Sequence, residues 1–135
     1  METLQDIYCC GCKRSVVARL TSGVELYPFR PDLSALPFWI CDTCQSYVGC
    51  HNKTKTPTKP LGVLATSEII QKRKAIHRII DPLWKTGKMK RKQVYGEMSR
   101  RLGYAFHSAE IRSVGQAMHA IHVGEDIARE AHAIN

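Results

Sequence analysis

Hydrophobic positions change period once along this chain, and the change separates two kinds of structure. In residues 15–29, SVVARLTSGVELYPF, Val16, Ala18 and Leu20 alternate against Val17 and Arg19 as far as the turn signal Thr21-Ser22-Gly23, after which Val24, Leu26 and Phe29 resume. A period of two on both sides of a turn predicts a β-hairpin. Pro28, Pro31 and Pro37 break the next segment, and Phe38-Trp39-Ile40 supplies a short third strand. Residues 51–62, HNKTKTPTKPLG, are polar and basic with two prolines, the pattern of an exposed linker.

Beyond the linker the period lengthens to about 3.6 residues. Ile69, Ile76, Ile80 and Leu83 share one face of a predicted helix capped by Thr66 or Ser67, while Lys72, Lys74, Arg78 and Lys85 lie away from it. Pro82 is expected to bend this helix near its end, or to begin a new turn capped by Asp81. After the turn KTGKMKRK a second helix is predicted at about residues 91–102, where Val94, Met98 and Leu102 recur and Gly103 stops the run. A third is predicted from Ser108 with the stripe Ile111, Val114, Met118, Ile121, and Ile127, Ala131 and Ile134 extend the amphipathic pattern past Gly124.

Two Cys-x-x-Cys pairs bracket the strand-like third of the chain: Cys9 with Cys12, and Cys41 with Cys44. Each spacer lets two thiolates turn back on one ion, and two such knuckles supply the four soft ligands that tetrahedral zinc prefers. The expected fold class is therefore α+β. A small N-terminal zinc ribbon, a β-hairpin plus a third strand, spans residues 1–52, a basic linker spans 53–65, and a bundle of three to four helices spans 66–135. One zinc ion is expected, in a structural role, because four protein ligands leave no position for water or substrate. Cys10 makes too short a spacer with Cys12 to replace Cys9; a variant with three cysteines and His51 is the alternative ligand set. His119, His122 and Asp126, at i, i+3 and i+7, are candidates for a second metal, weighed against ordinary histidines near a helix end.

Charge adds a second feature. The formal net charge is +8, but residues 1–52, 53–101 and 102–135 carry −1, +11 and −2. Fourteen bases against three acids in the middle stretch exceed what solubility requires and suit a surface that meets a polyanion. The expected phosphate contacts are Lys53 and Lys55 in the linker, Lys72, Arg73 and Lys74 on the first helix, and Lys88, Lys90, Arg91 and Lys92 at the turn. Base-specific readout is not expected, and DNA and RNA both stay open. A helix-turn-helix over Met98–Gly103 and the helix from Ser108 is a weaker alternative, since its turn is several residues too long. So is a nuclease built around His51 and Asn52, for which no second His and carboxylate fall at a suitable spacing. The chain has no run of eighteen apolar residues and no signal-like start, and its six cysteines suit metal better than disulfides, so a soluble intracellular protein is expected.

With CDTCQSYVGCH, then PLGVLA, then Arg73, His77, Asp81, Leu83, Trp84, Arg91, Tyr95, Leu102 and Gly103 in order, residues 6–115 resemble a family of small phage and prophage proteins that contain a zinc finger. The resemblance implies a zinc-bound N-terminal part held by Cys9, Cys12, Cys41 and Cys44, then helices, and a life in the cytoplasm of a bacterial host cell. It implies no activity. Cys10, Pro82 and the extended histidine-rich C-terminus depart from the family pattern. The expected function is non-enzymatic nucleic-acid binding, with a protein-binding inhibitor or adaptor of a host enzyme or defence complex as the alternative.

Overall fold

A computed structural model describes residues 3–133, which fall into two compact units divided between Ser67 and Glu68. The first unit is built on a four-stranded antiparallel sheet, β1 (Leu4–Cys9), β2 (Arg14–Ser22), β3 (Pro37–Ile40) and β4 (Tyr47–Gly49), in the order β1-β2-β3-β4. The alternation in β2 places Ala18 in the core, with Val16 and Leu20 packed against it and Val17 out in solvent. Ile7, Trp39, Val48 and Leu64 complete that core together with Cys9, Cys41 and Cys50.

The expected hairpin is displaced. Its turn is not Thr21-Ser22-Gly23 but the first cysteine knuckle, which joins β1 to β2 with Ile7 opposite Val16 and Cys9 opposite Arg14. The chain after β2 forms a four-residue helix, α1 (Gly23–Leu26). A side chain on Gly23 would meet the Leu33 carbonyl oxygen at 1.9 Å, so glycine is required there by close backbone approach rather than by a hairpin turn.

Residues 60–65 also differ from a free linker. Leu64 N–H donates to the Tyr8 carbonyl and Cys10 N–H to the Leu64 carbonyl, each at 2.9 Å, while Ala65 and Tyr47 exchange both backbone hydrogen bonds at 3.0 Å. Val63, Leu64 and Ala65 are buried by this docking. Lys53, Lys55 and Lys59 stay exposed in the loop that precedes it, and the Trp39 indole N–H donates to the Thr58 carbonyl at 2.6 Å to hold that loop over the sheet.

The second unit contains α2 (Ser67–Lys85), α3 (Arg91–Leu102) and α4 (Val114–Ala133). Ile69, Ile76, Ile80 and Leu83 are buried along α2, and Val94, Met98 and Leu102 along α3, as their spacing requires. Gly103 ends α3 in the left-handed conformation, φ 86°. Pro82 does not begin a new turn: α2 runs through it to Lys85. Asp81 is not a cap: its carboxylate lies 3.2 Å from His77 Nδ1 and accepts from the Trp84 indole at 3.3 Å.

The third helix starts later than expected and buries a different face. Residues 108–110 form a single 3-10 turn, and α4 begins at Val114. Its buried positions are Ala117, Ala120, Val123, Gly124 and Ile127, while Val114, Met118 and Ile121 are only half-buried. The small residues let α4 approach closely: a side chain on Gly124 would meet Ile80 at 3.1 Å and Ile79 at 3.4 Å. Gly124 therefore lies inside the helix and does not end it. Ile134, expected on the apolar face, lies outside the described residues.

Candidate metal centre and basic surfaces

Both cysteine pairs sit at hairpin tips, one between β1 and β2 and the other between β3 and β4. The tips are built alike. Lys13 N–H donates to the Cys9 carbonyl at 2.7 Å, and Gln45 N–H to the Cys41 carbonyl at 2.7 Å. Lys13 and Gln45 both take positive φ, 59° and 68°, a conformation that costs a residue with a side chain about 1 kcal/mol. Two like knuckles thus carry the same backbone strain one residue after their second cysteine.

Their four sulfurs converge. The ligand atoms of Cys9, Cys12, Cys41 and Cys44 all lie within 4.8 Å of one another, with Cys9 to Cys44 at 3.3 Å and Cys12 to Cys41 at 3.7 Å. Zinc–thiolate bonds of about 2.3 Å put the sulfurs of a tetrahedral site about 3.8 Å apart, so the cluster matches zinc, whereas a disulfide would need about 2.05 Å. A side chain on Gly11 would meet Cys44 Sγ and Ser46 Oγ at 2.6 Å each, so the first knuckle must carry glycine beside the fourth ligand.

The electrostatics agree with a cation. Burial opposes ionisation of Cys44, yet the Ser46 hydroxyl and backbone N–H, with the Cys9 and Cys12 thiols, outweigh it and bring its pKa down to about 6. Hydrogen bonding to Cys44 and then burial push Cys12 up to about 12, and burial raises Cys9. The pocket favours the Cys44 thiolate and resists those of Cys9 and Cys12, so gathering four thiolates here needs a positive charge between them. A zinc ion supplies it, and cross-links the two hairpin tips.

Arg19 steadies the second tip. It donates to both Asp42 oxygens, at 2.9 and 2.8 Å, and to both Glu25 oxygens, at 3.1 and 2.9 Å. Asp42 lies between Cys41 and Cys44, so this fork fixes the knuckle and α1 to β2 at once. Cys10 and Cys50 are buried outside the cluster. His51 is also outside it, which selects Cys44 over the His51 variant. His119, His122 and Asp126 are not brought together among the described residues: His122 faces Glu125 at 3.6 Å and Asp126 pairs with Arg129.

The cations expected to meet phosphate fall into different environments. Lys74, Lys88, Lys90, Arg91 and Lys92 are exposed, and Lys72 half-exposed. Arg73 is corrected by the structure. It is 8% exposed, and its guanidinium donates to the Ile111 carbonyl at 2.6 Å, so it ties the 3-10 turn to α2 instead of facing solvent. Arg100 and Arg101 are also spent, on Glu97 and Glu130.

Arg91 is held differently. Its guanidinium lies over the Tyr95 ring at 4.5 Å and the Trp84 ring at 5.6 Å, an attraction worth roughly 0.5–2 kcal/mol per pair. In the sequence Arg91 is one member of a charge run, and the two rings that meet it come from separate helices, α2 and α3. The helix-turn-helix is not formed. Residues 103–113 separate α3 from α4, and Gln116 on the supposed reading helix accepts from the Arg112 backbone N–H and donates to Tyr104. No helix among the described residues is long and apolar enough to cross a membrane.

Residues 5–125 match the model of a family described as a zinc-finger-containing domain. No curated protein and no solved structure matches the chain.

Proposed function

For this chain, which belongs to the zinc-finger-containing domain family and binds zinc through four cysteines, we propose non-enzymatic binding of nucleic acid in the cytoplasm of a bacterial cell, in a phage or prophage setting. The observation that carries this reading is a set of cations without acidic partners. Lys85, Lys88, Lys90, Arg91 and Lys92 lie within eight residues at the α2–α3 corner, and none forms an ion pair among the described residues. Elsewhere Arg19, Arg30, Arg100, Arg101 and Arg129 are all matched to carboxylates. Lys53 and Lys55 are exposed on the first unit; on α2 of the second, Lys74 is exposed and Lys72 half-exposed.

Fluorescence anisotropy with labelled DNA and RNA at two salt concentrations tests the proposal. Four phosphate contacts would weaken binding by about a hundredfold between 50 and 200 mM salt. Lys90→Glu with Lys92→Glu should weaken it further. Absence of binding at low salt, or affinity indifferent to salt, rejects the reading. A host protein is the second candidate partner, favoured by the large apolar side chains left in solvent on the first unit, Phe29 at 93% and Val24 at 63% exposed. Capture from host lysate with and without nuclease separates the two: partners that survive digestion support protein binding.

A further inference from the structure

Three side chains of the second unit form a line of hydrogen bonds that neither the metal centre nor the basic surfaces use. The His77 ring stands between two partners: its Nδ1 lies 3.2 Å from Asp81 Oδ1, and its Nε2 lies 2.7 Å from Ser108 Oγ. His77 and Asp81 sit one turn apart on α2, while Ser108 comes from the connection between α3 and α4. An ionised carboxylate only accepts hydrogen bonds, so Nδ1 carries the ring proton and points it at Asp81. The neutral ring then has its lone pair at Nε2, and the Ser108 hydroxyl donates to it. The Trp84 indole N–H, which can only donate, reaches the same Asp81 oxygen at 3.3 Å and holds it beside the ring.

The serine is as firmly placed as the histidine. On one side of it the Phe106 N–H donates to Ser99 Oγ of α3 at 2.9 Å, and on the other the Ile111 carbonyl accepts from Arg73 of α2 at 2.6 Å. The Ile111 N–H also donates to the Ser108 carbonyl at 3.2 Å. Phe106 and Ile111 are themselves buried, so the connection is anchored on both sides of Ser108 without help from His77. What the histidine adds is a base against a hydroxyl that is only half-buried. The His77 side chain is 38% exposed and that of Asp81 22%, so the reacting end of the line opens to solvent more than its carboxylate does.

We propose that Ser108 is a nucleophile that takes the acyl group of an activated carboxylic ester, with His77 as its general base and Asp81 as the residue that orients the base. Both hydrogen bonds lie within the reach that proton transfer requires. Ser108 Oγ attacks the ester carbonyl carbon and passes its proton to His77 Nε2. The Oγ–C bond forms as the bond to the alkoxy group breaks, and the proton leaves with the alcohol. The product is an acyl-serine, one covalent modification per chain and not a turnover, and it is independent of the nucleic-acid reading above.

The test exposes the zinc-loaded full chain to a fluorophosphonate, and separately to p-nitrophenyl acetate, and locates the adducts by peptide mass spectrometry. The fluorophosphonate should attach to Ser108 with loss of fluoride, and the ester should leave an acetyl group on the same residue. Ser108→Ala should remove both adducts. His77→Gln should slow the phosphonylation by about a hundredfold, the low end of what a general base contributes. Asp81→Asn, whose amide can donate to Nδ1 and so favours the wrong tautomer, should slow it by about as much. A hydrogen bond that only braces the connection would lower the melting temperature when cut and give no adduct at all. No label on Ser108 in the native chain therefore overturns the proposal, as does a native rate in His77→Gln. Should a substitution fail to fold, urea supplies the control: a Ser108 that reacts as fast in urea as in the folded chain has no base beside it, and that result overturns the proposal too.

Discussion

The two units solve the same problem with opposite means. The first has a thin sheet whose apolar face includes three cysteines, and its hairpin tips are joined by thiolates that resist ionising together. The second has no metal cluster among its described residues and is held by aliphatic stripes on α2 and α3 packed with the small-residue face of α4. One unit's stability is borrowed from an ion, the other's from volume and close approach. The difference shows where each is vulnerable.

Removing the ion gives the largest expected effect. Chelation, or Cys44→Ser, should unfold residues 1–67 while leaving the helices, because structural zinc in small sites contributes on the order of 10 kcal/mol. Far-UV circular dichroism retaining its helical signal while the Trp39 environment is lost would bear out the contrast. Simultaneous loss of both signals would break it.

A smaller effect, opposite in location, is expected from Ile80→Ala. Ile80 is fully buried and faces Gly124, so its truncation should cost the second unit about 2–5 kcal/mol. Urea denaturation followed by circular dichroism measures this, and zinc affinity should not change. A shift in zinc affinity would show that the units do not stand alone.

The smallest effect is electrostatic. Hydrogen bonds from Arg100 and Arg101 hold the Glu97 carboxyl at about 2, below its ordinary 4.5. Because the folded value is depressed, the contribution is complete above about pH 4.5 and disappears as pH falls through about 2. Glu97→Gln should therefore lower the melting temperature slightly at pH 7 and leave it unchanged at pH 2. An equal loss at both values would mean that shape, not charge, is what Glu97 supplies.

The same contrast governs what was readable in the sequence. The zinc ligands were legible because their spacing states the chemistry directly, and α2 and α3 because large aliphatic residues mark their buried faces. The face of α4 was hidden by size. Ala117, Ala120 and Gly124 are buried where helices come close, while hydropathy pointed to the larger Val114, Met118 and Ile121. Strand β1 was hidden by brevity, since only Ile7 and Cys9 turn inward along it. Arg73 was misplaced because charge is a poor guide when a carbonyl such as that of Ile111 waits within reach. The preorganised Arg91 depends on two rings from separate helices meeting one side chain, which spacing within either helix does not express.

The matched hairpin tips carry a consequence for how the first unit comes apart. Both lie at the same end of the sheet, and each holds one left-handed residue, Lys13 or Gln45. Zinc is therefore a clasp at one edge and not a nail through the middle. Once it opens, the stored strain is released at the tips first, while the central register of β2 on β3, Arg19 opposite Ile40 through Ser22 opposite Pro37, is the last part to lose its partners. Such a sheet peels from a defined end, so a cell that withdraws zinc should expose Cys9–Lys13 and Cys41–Gln45 to oxidants and proteases before the rest of the core.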